Sequence, residues 1–110
     1  MFKLVFFVPE PNLESVKAAV FKAGAGRIGD YDQCCWQTQG QGQFRPLAGS
    51  TPFIGDSPSE DEKAGIITYV NEYRVEMVCD DLLIKPVIQA LKAAHPYEEP
   101  AYDVWQLVSF

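Results

Sequence analysis

The sequence is poor in basic residues and contains a single histidine. Nine Lys and Arg stand against fifteen Asp and Glu among 110 residues, a formal net charge of −6. Phosphate backbones and anionic lipid surfaces attract proteins through clustered positive charge. This balance argues against nucleic-acid and membrane partners. It suits a chain that meets cations, small molecules or other proteins.

Long apolar runs and paired cysteines are also scarce. The apolar run from Met1 to Val8 is shorter than the about 20 residues that cross a bilayer, and no signal-peptide cleavage pattern follows it. Three cysteines, of which Cys34 and Cys35 are adjacent, do not suggest a structural disulfide framework. We therefore expect a cytoplasmic protein, and the length predicts a single domain spanning residues 1–110.

Hydrophobic periodicity predicts the order strand, helix, two strands, helix, strand. The first strand is apolar on both faces, which is typical of the middle of a covered sheet. Asn12 is expected to cap the first helix, and Pro86 is expected at the first position of the second. The predicted strands are residues 2–8, 31–38, 66–79 and 101–108, and the predicted helices are residues 13–23 and 86–94.

This order predicts a fold of the α+β class. Right-handed crossovers place both helices on one face of a four-stranded antiparallel sheet, the ferredoxin-like βαββαβ sandwich. Glycines at 40 and 42 predict a hairpin turn or bulge, and residues 45–65 are rich in Pro, Gly and acids. We therefore expect a long loop or hairpin insertion around residues 38–65. Closed self-association would cover the two open sheet edges, so we also expect a homo-oligomer.

The run Gly24-Ala-Gly-Arg-Ile-Gly29 matches the dinucleotide fingerprint G-x-G-x-x-G. That fingerprint requires a strand before it and a helix that opens on it. Here the glycines follow a predicted helix and lead into a strand. Termination of the helix explains them better, and no NAD site is predicted.

The three cysteines are weaker metal candidates. Cys34 or Cys35 could approach Cys79 if the second and third strands pair, and together with His95 they could form a soft metal site. Alternation along a strand would send the two adjacent cysteines to opposite faces, and no C-x-x-C spacing is present. Small buried cysteines are common in protein cores.

The densest functional pattern is the segment His95-Pro-Tyr-Glu-Glu-Pro-Ala-Tyr-Asp103. Its prolines stiffen the backbone, so its polar groups lose less entropy on binding a partner. A histidine beside carboxylates can bind a divalent cation or titrate near neutral pH. We take His95, Tyr97, Glu98, Glu99 and Asp103 as ligand or metal candidates. A purely structural alternative stays open, in which His95 ends the second helix and the acids face water.

Several ordered motifs together resemble the YqfO-type domain, which is inserted in many Nif-three-like proteins and also occurs as a free-standing chain. The resemblance covers essentially the whole length. The His-Pro-Tyr-Glu-x-Pro piece is also similar to the equivalent segment of CutA, the divalent-cation tolerance protein. The motifs are Gly24–Tyr31, Cys34, Gly40 with Gly42 and Phe44–Pro46, Pro52–Gly55 and His95–Asp103.

The resemblance implies a PII/CutA-like sandwich that self-associates, as a trimer by likeness to CutA and PII proteins. It implies binding of a small molecule or a protein at the long loops or subunit clefts. It does not bring the dinuclear metal site of Nif-three-like proteins, which lies in their flanking core domains.

The leading hypothesis is therefore a non-enzymatic oligomeric binding or regulatory module with no assigned cofactor. The alternative is a protein that binds a divalent metal ion such as copper, zinc or nickel through the His95–Pro100 segment. With one histidine and no nucleophile motif, an enzyme that uses His95 as acid or base is a third hypothesis.

Overall fold

The computed structural model describes residues 1–59 and 62–110. Its elements follow the predicted order, with a short 3₁₀ turn at Glu10–Asn12 before the first helix. Within the described ranges, no helix is both long and apolar enough to cross a bilayer. The elements are β1 (Phe2–Pro9), α1 (Leu13–Lys22), β2 (Trp36–Phe44), β3 (Thr68–Cys79), α2 (Ile84–Ala94) and β4 (Tyr102–Gln106).

The four strands form one antiparallel sheet in the order β2-β3-β1-β4. The strand that is apolar on both faces, β1, lies between β3 and β4, as its pattern predicts. Register pairs place Phe6 opposite both Val75 and Tyr102. This topology confirms the predicted ferredoxin-like fold of the α+β class.

The core lies between the two helices and one face of the sheet. Alternate residues of β1 and β3 point toward it, and each helix contributes an apolar stripe. Burial of each such side chain contributes about 1.5–3 kcal/mol to folding. The fully buried members include Leu4, Phe6, Val8, Val16, Val20, Val75, Val87 and Leu91.

The excursion around residues 38–65 is a hairpin, but its turn lies later than the glycines suggest. β2 pairs with β3 from Trp36↔Glu76 to Phe44↔Thr68, so the strand runs straight through Gly40 and Gly42. The hairpin turn or bulge predicted at these glycines is therefore wrong, because backbone hydrogen bonds to β3 outweigh their turn preference. Of the described residues, 45–59 and 62–67 lie in the loop between β2 and β3.

Three local predictions are corrected. Residues 31–35, assigned to a strand from the sequence, precede β2, and Tyr31 instead closes a turn through an isolated bridge with Ile28. Asn12 makes no side-chain cap hydrogen bond. Pro86 is the third residue of α2, since first-turn N–H groups have no acceptor within the helix and proline is tolerated there.

Candidate functional site

The site forms where α2 ends and the chain turns toward β4. His95 adopts an extended backbone conformation (φ −70°, ψ 136°) while its N–H still donates to Leu91 O. The residue before a proline is driven out of the helical region, so Pro96 fixes this helix end. The predicted end of the helix at His95 is confirmed.

The His95 side chain ties this corner to the central strand. Its Nε2 lies 2.6 Å from Phe7 O, and because a carbonyl only accepts, Nε2 carries the hydrogen and donates. Its Nδ1 accepts the Tyr97 N–H at 3.1 Å. Burial lowers the pKa of His95, although the hydrogen bond to Phe7 and the charge of Glu72 oppose this. The ring is therefore a neutral imidazole with both nitrogens engaged inside the fold.

Tyr97 connects the same corner to β3. Its hydroxyl donates to Glu72 Oε2 at 2.9 Å. Burial, and then this carboxylate, raise the pKa of the Tyr97 hydroxyl well above its ordinary value. Gly42, on the neighbouring strand, leaves room for Glu72, since a Cβ there would overlap its Oε1. The absence of a side chain at position 42 therefore allows the Glu72–Tyr97 bond to form.

Glu98 holds the β2–β3 loop against the corner. Its Oε2 accepts hydrogen bonds from the backbone N–H and the hydroxyl of Thr51, at 2.9 and 3.1 Å. The loop is closed on itself as well, because Gly65 N donates to Pro46 O at 2.7 Å. Residues nearly fifty positions apart are thus joined at one end of the sheet.

A cavity of about 580 Å³ lies between this loop and the corner. Three aromatic rings meet in it, with the Tyr97 ring centroid 6.5 Å from that of Phe44 and 6.4 Å from that of Phe53. This volume is in the range of pockets that hold small molecules. The lining residues are Phe7, Gln43, Phe44, Arg45, Pro46, Leu47, Ser50, Pro52, Phe53, Ile54, Glu72, Tyr97, Glu98, Glu99 and Ala101.

The candidates of the His95–Asp103 segment separate in space. Tyr97, Glu98 and Glu99 line the cavity, and His95 lies behind Tyr97, with ring centroids 4.8 Å apart. Asp103 belongs to β4, opposite Val5, and does not line the cavity. The segment therefore supplies one wall of the cavity. His95 holds that wall in place through its hydrogen bonds with the Tyr97 N–H and Phe7 O.

The cysteines lie elsewhere. Cys34 and Cys35 precede β2 and are half-buried, while Cys79 is the last residue of β3 and is buried. Burial, and then Asp80, raise the pKa of the Cys79 thiol, which disfavours the thiolate that metals bind. In residues 1–59 and 62–110, no three His, Cys, Asp or Glu side chains cluster as a metal site would require. Metal binding at these residues and at His95 stays a prediction.

Comparison with known proteins agrees with the motifs. No family model matches the chain. A protein from Mycobacterium tuberculosis named GTP cyclohydrolase 1 type 2 homolog is 47% identical over 106 residues, which cover 96% of this chain and 26% of that protein. The solved structure of a Bacillus cereus protein related to NIF3 superposes with a TM-score of 0.79 at 38% identity, over 98% of this chain and 26% of the other. The predicted resemblance to Nif-three-like proteins is confirmed.

The matched part is one segment of these Nif-three-like relatives, since the chain spans about a quarter of their length. A PII-like protein CutA from Nostoc superposes with a TM-score of 0.63 at 15% identity, covering 97% of this chain and 81% of that one. At that identity the likeness concerns the fold alone. It agrees with the PII/CutA-like architecture that the motifs implied.

Several lining residues were not assigned a role from the sequence alone. Phe44, Arg45 and Phe53 belong to the motifs that carried the family resemblance, and those motifs could have marked them as site residues. No sequence feature marked Glu72 as a site residue, because alternation along β3 placed it on a solvated face of mixed charge. Only the register with β2 and the position of Tyr97 reveal what its carboxylate contacts.

Proposed function

We propose that this chain is a non-enzymatic, homo-oligomeric binding or regulatory module of 110 residues whose ligand occupies the cavity beside Tyr97. The observation that carries the proposal is the cavity itself, an aromatic and aliphatic space of about 580 Å³ with a few charged groups. Ligand sites in proteins combine such linings with a small number of polar groups. Tyr97, Glu98 and Glu99 are the residues we expect to contact the ligand.

The hydrogen bonds around the cavity favour binding over catalysis. The Tyr97 hydroxyl donates to Glu72, the Ser50 hydroxyl donates to Leu47 O at 2.7 Å, and the Thr51 hydroxyl donates to Glu98. His95 uses both ring nitrogens. An acid, base or nucleophile must be able to exchange its proton with a substrate. The hydroxyl and ring hydrogens of these groups are instead engaged in hydrogen bonds within the protein. The metal-binding alternative has less support, because His95 Nδ1 already accepts a hydrogen bond.

The face of the sheet opposite the helices supports self-association. Trp36 on β2 and Trp105 on β4 keep 62% and 47% of their surface exposed on this face. Between these tryptophans, Arg74 and Glu76 of β3 form an ion pair at 3.5 Å. Tryptophan and arginine are enriched in protein interfaces and among the residues that contribute most to binding. Likeness to the PII/CutA fold suggests a trimer.

Light scattering coupled to size-exclusion chromatography tests the assembly. We expect a mass three times the 12.3 kDa of the chain at micromolar concentration. Trp36→Arg should shift the protein toward the monomer. The control Tyr31→Arg replaces an aromatic residue that is 75% exposed outside the sheet, and it should leave the mass unchanged. A monomeric wild-type protein would contradict the proposal.

A further inference from the structure

The charged groups of the cavity select one class of ligand. Glu72, Glu98 and Glu99 line it together with one guanidinium, that of Arg45. Three carboxylates against one guanidinium give the lining a net charge of −2 when all are ionised. An anionic ligand would meet these carboxylates in a partly enclosed space, where charges are less screened than in bulk water.

Two of these carboxylates are already fixed in place. Glu72 Oε2 accepts from Tyr97, and Glu98 Oε2 accepts from Thr51. The donors of these hydrogen bonds are neutral, and among the described residues no Lys or Arg forms an ion pair with Glu72 or Glu98. Glu99, which is exposed, adds a third carboxylate to the lining.

Besides the carboxylates, the aromatic rings of the cavity also favour a cationic ligand. The rings of Phe44 and Phe53 lie 6.5 and 6.4 Å from the Tyr97 ring centroid, tilted by 54° and 50° to its plane. Aromatic faces attract cations through their quadrupole, and groups of such rings bind organic ammonium ions. Aromatic rings also pack against the apolar part of a ligand. Rings and carboxylates together favour a ligand that is both apolar and positively charged.

We infer that the cavity binds a small organic cation, an amine carried on an aromatic or apolar frame. This inference rests on the proposed function, because it names the ligand class for the same site. The frame packs against Phe44, Phe53 and Pro46, and the ammonium group lies toward Glu98 and Glu99.

Three indole compounds that differ in charge test the inference. Tryptamine is the cation, tryptophol the neutral analogue and indole-3-acetate the anion. Each is titrated into the ¹⁵N-labelled full chain, and amide shifts locate and measure binding. We expect tryptamine to bind at residues that line the cavity, with an affinity at least fivefold above that of tryptophol, and indole-3-acetate to bind most weakly.

Two variants separate the charge from the rings. Glu99→Gln should weaken tryptamine binding about fivefold and leave tryptophol unchanged, because an exposed carboxylate contributes modestly to an ion pair. The control Glu14→Gln removes the same charge from an exposed position on α1 and should have no effect. Phe53→Leu keeps an apolar side chain but removes a ring that is 56% exposed, so the fold should persist while tryptamine affinity falls.

The outcomes distinguish the inference from the function on which it rests. Equal binding of tryptamine and tryptophol in the cavity would overturn the cation inference and leave the cavity as a binding site. Shifts confined to residues outside the cavity, or no shifts with any of the three compounds, would also overturn it. The oligomeric half of the proposed function is decided separately by light scattering.

Discussion

Gly42→Ala tests whether the missing side chain at position 42 shapes the cavity wall. A Cβ on Gly42 would overlap Glu72 Oε1 and lie 2.7 Å from its Cδ, so the carboxylate must move, and we expect it to lose its hydrogen bond with Tyr97. A hydrogen bond to a charged group contributes about 1.5–3 kcal/mol, and partial exposure of both partners reduces this to about 1–2 kcal/mol. Alanine in a strand recovers about 0.5–1 kcal/mol relative to glycine. The net result is a loss of up to about 1.5 kcal/mol in the free energy of unfolding.

Gly40→Ala is the matched control. Gly40 lies two residues earlier on the same strand and face, and a Cβ there meets nothing within 4 Å. Neither glycine has a positive φ, so no backbone strain enters the comparison. Gly40→Ala should therefore stabilise the protein by about 0.5–1 kcal/mol, measured by urea denaturation. The two variants should differ by about 1–2 kcal/mol.

A double-mutant cycle decides the cause of that difference. In a Tyr97→Phe background the hydrogen bond to Glu72 is already gone, and Glu72 can move without loss. Gly42→Ala should then stabilise the protein as Gly40→Ala does. If the penalty of Gly42→Ala persists in that background, or if the two alanine variants are equal in the wild type, the reasoning about Glu72 is refuted.

Three further outcomes follow from the fold and the site. Leu91→Ala should lower the free energy of unfolding by about 2–5 kcal/mol in denaturant titrations, because Leu91 is fully buried between α2 and the sheet. Glu98→Ala should accelerate hydrogen exchange of the Thr51 amide, since that amide loses its acceptor. Stability should fall as pH decreases below 6.5, because burial lowers the pKa of His95 and the unfolded chain therefore binds more protons there. His95→Gln should make this acid-side loss smaller.

Each of these outcomes has a control within the chain. Leu82 is 89% exposed, so Leu82→Ala should change stability by less than about 0.5 kcal/mol. Glu99→Ala removes the neighbouring carboxylate, and unchanged exchange of Thr51 is expected. If hydrogen exchange of the Thr51 amide accelerates equally in Glu98→Ala and Glu99→Ala, the hydrogen bond assigned to Glu98 is contradicted. An acid-side stability loss identical in wild type and His95→Gln would contradict the role given to the neutral imidazole.

Much of the fold follows from local patterns. Two-sided hydrophobicity identified β1 as a central strand, and the helical stripes identified α1 and α2. The boundaries of β2 could not be obtained this way. Its sequence, rich in Gln and Gly, has weak strand propensity, and pairing with β3 rather than local preference extends it to Phe44.

The candidate site was found only in part from the sequence. The Tyr97–Glu99 stretch was identified because chemistry-bearing residues are dense there, and it does form one wall of the cavity. The opposite wall comes from the β2–β3 loop, and Thr51 meets Glu98 across 47 positions of sequence. Such a meeting depends on strand register and loop closure, which no local pattern contains.

The sequence by itself determined the order of the elements, the helix end at His95 and the net negative charge, since each depends on neighbouring residues or on simple composition. The tertiary structure decided what His95 does. In the sequence it is a histidine beside carboxylates, which could bind a metal, exchange a proton or end a helix. In the fold its two ring nitrogens are held by Phe7 O and the Tyr97 N–H. A side chain's free lone pairs are fixed by what packs around it, and that is a property of the folded chain.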